Sequence, residues 1–198
     1  GDTPLSIASY KGHKDIVEIL LNMKNIAVNI TANKGSMPLY FASQEGHKDI
    51  VELLLNMKNI DVNKPNKNGA TPLRIASKNG HKDIVELLLK MKDIDVNKAT
   101  NKGSTPLYIA SQEGHKDIVE ILLHMKNIDV NKQRNGGDTP LSIASYTGHK
   151  DIVELLLNAK NIDVNIRTNT EVTPLYFASE KGHKDIVELL LNMKNIDV

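Results

Sequence analysis

Apolar residues along this chain fall into short runs at helical spacing, and the runs themselves return every 34 residues. Ile118, Val119, Leu122 and Leu123 stand at i, i+1, i+4 and i+5, one broad face of a helix. A shorter run ahead of it, Leu107, Ile109, Ala110 and Ser111, includes small residues that let neighbouring helices approach closely. The pair of runs is framed by Thr105-Pro106-Leu107 and Gly114-His115. The same frame occurs six times without insertion or deletion, from Thr3-Pro4-Leu5 with Gly12-His13 to Thr173-Pro174-Leu175 with Gly182-His183. A fixed period of this length predicts a solenoid of stacked units, each unable to bury its apolar face alone.

The spacing predicts one domain over 1–198, in repeats 1–34, 35–68, 69–102, 103–136, 137–170 and 171–198. In repeat 103–136, Thr105 is placed to cap a helix and Pro106 to open it at N1. That helix runs from Pro106 to about Gln112, and Gly114 suits a left-handed stop. A second helix begins near Asp117, whose charge favours a helix N-terminus, and ends near His124 to Lys126. Asn127 is expected to take a left-handed conformation there. Residues 128–131 read as extended, and Lys132 to Gly136 as a turn rich in Asn and Gly. The predicted class is all-α, helix-turn-helix units joined by hairpin-like loops.

Thr-Pro-Leu, the small pair Ala110-Ser111, Gly-His, Ile-Val-Glu-x-Leu-Leu and Asp-Val-Asn together resemble the ankyrin repeat, over the whole chain. The family's usual unit is 33 residues. Here Met-Lys-Asn-Ile-Asp adds one, which predicts a looser end to the second helix. The family's usual His after Thr-Pro-Leu is replaced by Ser6, Tyr40, Arg74, Tyr108, Ser142 and Tyr176. Met37 stands where the capping Thr would be, a loss of about 1 kcal/mol unless Ser36 caps instead. The resemblance implies a scaffold that grips partner proteins in a concave groove formed by the first helices and turn tips.

Seventeen columns are identical in all six copies wherever present. The differences collect at the second, sixth, tenth and eleventh positions and in the turn. Positions two, six and ten share one face of the first helix by i, i+4 spacing. These columns give the candidate partner-binding residues. The second position contributes Asp2, Ser36 and Asp138. The sixth contributes Ser6, Tyr40, Arg74, Tyr108, Ser142 and Tyr176. The tenth contributes Tyr10, Gln44, Lys78, Gln112, Tyr146 and Glu180, and the turn Arg134 and Arg167. All five tyrosines and all three arginines lie in these columns, and both types are enriched at binding hot spots. Phe41 and Phe177, at position seven, read as core.

Composition narrows the function further. Twenty-five basic residues balance 24 acidic ones, so a nucleic-acid partner is not expected. No apolar run approaches the roughly 18 residues of a membrane span, so membrane insertion is not expected either. Cysteine is absent, which removes disulfides and thiolate chemistry and fits a cytoplasmic setting. The six His-Lys-Asp triplets suggest a site, but equivalent residues on stacked helices stand about 8–10 Å apart, too far for a cluster. The histidines read as structural. No catalytic residue, cofactor site or metal site is predicted. Two readings remain: a protein-interaction scaffold, or a spacer region of a larger protein. Residues 1–62 and 137–198 match at 50 of 62 positions, a recent duplication that favours the spacer. Concentration of the differences on one face favours the scaffold. Neither terminal repeat exchanges its apolar residues for charged ones, so a longer array, or head-to-tail contact between copies, is expected.

Overall fold

The computed structural model describes residues 3–31 and 37–198. Its chain divides into two compact units, Gly1–Asn101 and Lys102–Val198. The first holds α1 (Pro4–Lys11), α2 (Lys14–Leu21), α3 (Pro38–Glu45), α4 (Lys48–Leu55), α5 (Pro72–Asn79) and α6 (Lys82–Leu89). The second holds α7 (Pro106–Glu113), α8 (Lys116–Leu123), α9 (Pro140–Thr147), α10 (Lys150–Leu157), α11 (Pro174–Glu180) and α12 (Lys184–Leu191). Among the described residues there are twelve helices and no strand. Each repeat is a helix-turn-helix, and within each unit first helices pack on first helices and second on second.

The helix signals act as the sequence predicts. Thr105 Oγ1 accepts from Tyr108 N at 3.1 Å, one of the donors a helix start leaves unmatched. Pro106 follows at N1. At Thr3 and Thr139 the cap is reciprocal: Ser6 and Ser142 accept from the Thr3 and Thr139 backbones at 2.9 and 2.8 Å. Met37 makes no side-chain cap and is instead buried, so that position serves the core. Ser36, the expected substitute, lies outside the described residues. Gly12, Gly46, Gly80 and Gly114 end their helices at φ between 76° and 82°.

The second helix ends one residue earlier than expected: α8 stops at Leu123, with His124 at its C-cap. Three-residue turns follow, such as Met125 N to Leu122 O and Ile128 N to Met125 O. This is the looser end that the extra residue implies. Asn127 does not turn left-handed; among the described residues, Asn25 and Asn161 do so in the same column. The exchange is cheap because Asn is tolerated in that region without needing it.

The core of each unit is built mainly on the invariant apolar columns. Val17, Val51, Leu54, Val85 and Leu88 in the first unit are fully covered, as are Val119, Leu122, Val153 and Leu156 in the second. Each such side chain contributes about 1.5–3 kcal/mol relative to exposure. Polar columns tie repeat to repeat. His47 Nε2 donates to the Tyr10 carbonyl at 3.2 Å, and His81 to Gln44 at 2.9 Å. His149 and His183 do the same to Gln112 and Tyr146 in the second unit, at 3.1 and 3.2 Å. These histidines are structural, as the spacing argued. Asn63 Nδ2 donates to Asp93 O while its Oδ1 accepts from Asp95 N, which accounts for the repeated asparagine. Lys48 to Asp83 (3.4 Å) and Lys116 to Asp151 (3.0 Å) add exposed ion pairs between second helices.

Candidate partner-binding face

The caps and stops that fix each first helix also decide where its variable residues point. Their burial separates the candidates into two groups. Ser6 and Ser142 are consumed by the caps and buried. Tyr40, at 7% exposure, and Tyr108, at 1%, are core residues rather than contact residues. The correction has a physical cause. In both units the following repeat closes over the sixth position, and a tyrosine fills that space with its ring.

The buried tyrosines keep polar partners at their tips. Arg134 Nη1 donates to the Tyr108 hydroxyl at 3.2 Å, its guanidinium lies 5.6 Å from the ring centroid, and Asp138 stands 3.6 Å from Nε. Arg134 and Asp138 are thus occupied within the second unit, which makes them props for Tyr108. Burial holds the Tyr108 phenol above its ordinary range, with Arg134 acting against it. Burial likewise raises Tyr40, opposed by the charge of Arg74 and a hydrogen bond with Asn66.

The second group remains in contact with solvent. In the first unit, Tyr10 and Gln44 are half-buried, Arg74 is half-buried, and Lys78 is exposed. The Tyr10 ring meets Phe41 edge-on at 5.6 Å and 73°, and the Lys11 ammonium lies 5.3 Å from the Tyr10 centroid. In the second unit, Tyr146 is 41% exposed and meets Phe177 edge-on at 5.5 Å and 89°. Tyr176, at 55%, lies 6.4 Å from Phe177 on its other flank. Lys181 stands 4.5 Å from the Tyr146 centroid, and its hydrogen bond to Tyr146 is the main cause that raises its pKa. Gln112 is half-buried, while Glu180 and Arg167 are exposed, paired with Lys181 (3.6 Å) and Glu171 (3.9 Å). Asp2 and Ser36 fall outside the described residues.

Phe41 and Phe177 are not the core residues that their position suggests. Both are half-buried and form the floor of an aromatic cluster. Lys11 and Lys181, beside them, were not among the candidates either. The sequence does hold a signal for them: each phenylalanine replaces Ile only where the preceding repeat has Tyr at its tenth position.

The profile of the family described as "Ankyrin repeats (3 copies)" matches residues 1–66, 58–134 and 126–198. No curated protein is similar enough to count as a relative. Among solved structures, the crystal structure of EF0377, an ankyrin repeat protein, superposes with a TM-score of 0.89. The two chains are 27% identical, over 96% of this chain and 98% of that one.

Proposed function

Because the chain belongs to the ankyrin repeat family, whose members are generally protein-interaction modules, we propose that it is a scaffold that binds a partner protein on the exposed face of its first helices. The observation that carries this reading is the Tyr146–Phe177–Tyr176 cluster. Large aromatic rings remain open to water on the face where the repeats differ, and such rings supply binding energy at little entropic cost. The Tyr10–Phe41 pair is its counterpart in the first unit. A retention experiment from native extract tests it. The wild-type chain should hold a protein that a Tyr10→Ala, Tyr146→Ala double variant loses. Equal loss from Lys48, Lys82 and Lys116 together, each changed to Ala, would overturn the reading.

The near-identity of residues 1–62 and 137–198 favours the spacer reading instead. It predicts no retained protein in the same experiment. Head-to-tail association is a further part of the proposal. In the first repeat Ile16 is 47% exposed, whereas Ile50, Ile84, Ile118, Ile152 and Ile186 in the same column are 1% exposed. That open apolar face fits the end of a second copy. A scattering mass that stays at one chain over a wide concentration range would sink it.

A further inference from the structure

The two units carry opposite charge, and within the first unit the charge is not spread evenly. Residues 1–101 hold 14 basic and 11 acidic side chains; residues 102–198 hold 11 and 13. The second helices and the loops that follow them in the first unit hold seven basic residues against nine acidic. Its first helices and connecting turns, among the described residues, hold Lys11, Lys64, Lys67, Arg74, Lys78 and Lys98 against Glu45 alone. The same columns of the second unit hold five basic and four acidic residues. Thus the positive charge of the first unit sits on the elements that carry Tyr10 and Phe41. Lys11, Lys67 and Lys78 are exposed there.

We infer that the first-helix and turn face of the first unit takes an acidic, extended segment of a partner protein, with an apolar side chain of that segment seated on the Tyr10–Phe41 pair. The inference rests on the proposed scaffold function and adds the chemistry of its partner. Opposed potentials steer encounter and exclude basic partners. A nucleic acid fits less well. The chain as a whole has a net charge of only +1, so it lacks the basic excess that holds a polyanion, and the face offers an edge-to-face aromatic pair instead of a row of stacking platforms.

A randomised peptide library selected on the wild-type chain tests the inference. Recovered sequences should be enriched in Asp and Glu around an apolar or aromatic residue. Binding of a synthetic peptide with the recovered consensus should weaken about tenfold or more in a Lys11→Glu, Lys67→Glu, Lys78→Glu variant, and should weaken with added salt. Lys11→Ala and Lys78→Ala, each alone, give smaller losses in the same direction and serve if the triple variant fails to fold. Peptides without acidic enrichment, still lost on Tyr10→Ala, would overturn the inference and leave the scaffold function standing. Peptides indifferent to both Tyr10→Ala and the lysine changes would overturn both. Tighter binding of oligothymidylate than of the acidic peptide, or a dimer that the lysine changes dissolve, would replace the inferred partner.

Discussion

The imidazole of His81 occupies the space that a side chain on Gly46 would need. A Cβ built on Gly46 would stand 2.7 Å from His81 Cε1, and Gly46 itself sits at φ +82°. The same pairing joins Gly12 to His47, Gly114 to His149 and Gly148 to His183. The glycine therefore answers two demands at once: a left-handed helix stop, and room for the ring that reaches back to the preceding repeat.

Gly46→Ala should therefore cost more than a left-handed alanine alone. The backbone contributes about 1–2 kcal/mol. Displacement of His81 from the Gln44 carbonyl, now 2.9 Å away, adds about 1 kcal/mol. In a His81→Ala background the second part vanishes. Denaturant midpoints of the two single variants and the double variant check this, and strictly additive losses would refute the shared space.

Tyr108→Ala and Tyr146→Ala should separate stability from binding. Tyr108 is buried and props Arg134, so its loss should cost about 3–5 kcal/mol, as for other large aromatic truncations. Tyr146 is exposed, and its removal should leave the melting transition nearly unchanged while it weakens partner retention. A joint change of Tyr40, Arg74 and Tyr108 to Ala, which the variable columns alone present as harmless to the fold, should unfold the protein instead. A Tyr108→Ala chain that melts like wild type would contradict the assignment.

The repeat register made nearly all of the fold legible. Thr-Pro fixed the helix starts, Gly-His the stops, and the invariant Val and Leu columns the core. The binding face was legible only as a set of variable columns. Variation marks where packing is permissive, yet a buried tyrosine tied by an arginine varies as freely as an exposed one. Tyr108 and Tyr146 look alike in sequence; what separates them is whether the next repeat covers the sixth or the tenth position. Phe41 and Phe177 failed for the reverse reason. Position seven is buried at Ile75 and Ile109 but half-buried at Ile143 and 45% exposed at Ile7, so an apolar residue in that column does not by itself mark the core.

Alkaline pH should destabilise the protein through its buried phenols. Burial raises the pKa of Tyr108 and of Tyr40 in the folded chain, whereas the unfolded phenol titrates near 10.0. Below that pH both states are protonated and the contribution is intact. As pH rises past it, the unfolded chain loses the proton first, and stability falls until the folded phenols also ionise. Lys116, raised chiefly by its hydrogen bond to Asp151, is lost in the same direction. Melting temperatures followed from about pH 8 to about pH 11 should decline, and more gently in Tyr108→Phe. An equally steep decline in that variant would show that Tyr108 does not drive it.

Glu171 holds a position that Gly69, Gly103 and Gly137 hold in other repeats, and it keeps their left-handed backbone, at φ 61°. The reason for glycine differs along the row. A Cβ on Gly137 would meet Asn169 N at 2.6 Å and Thr168 Cα at 2.7 Å, both backbone atoms of the next turn. The Glu171 side chain is 78% exposed and forms an ion pair with Arg167 at 3.9 Å. Glu171→Gly should therefore relieve about 1–2 kcal/mol of backbone strain. Part of that gain is offset, by about 0.4–1 kcal/mol, because glycine frees the unfolded chain. The net effect should be a small rise in the denaturant midpoint. Gly137→Glu should instead cost the same strain plus about 1–3 kcal/mol of overpacking, since the opposing backbone cannot turn aside. Equal and opposite shifts for the two variants would mean that strain alone governs this column. A much larger loss at Gly137 would show that the glycines there serve the close approach of successive turns.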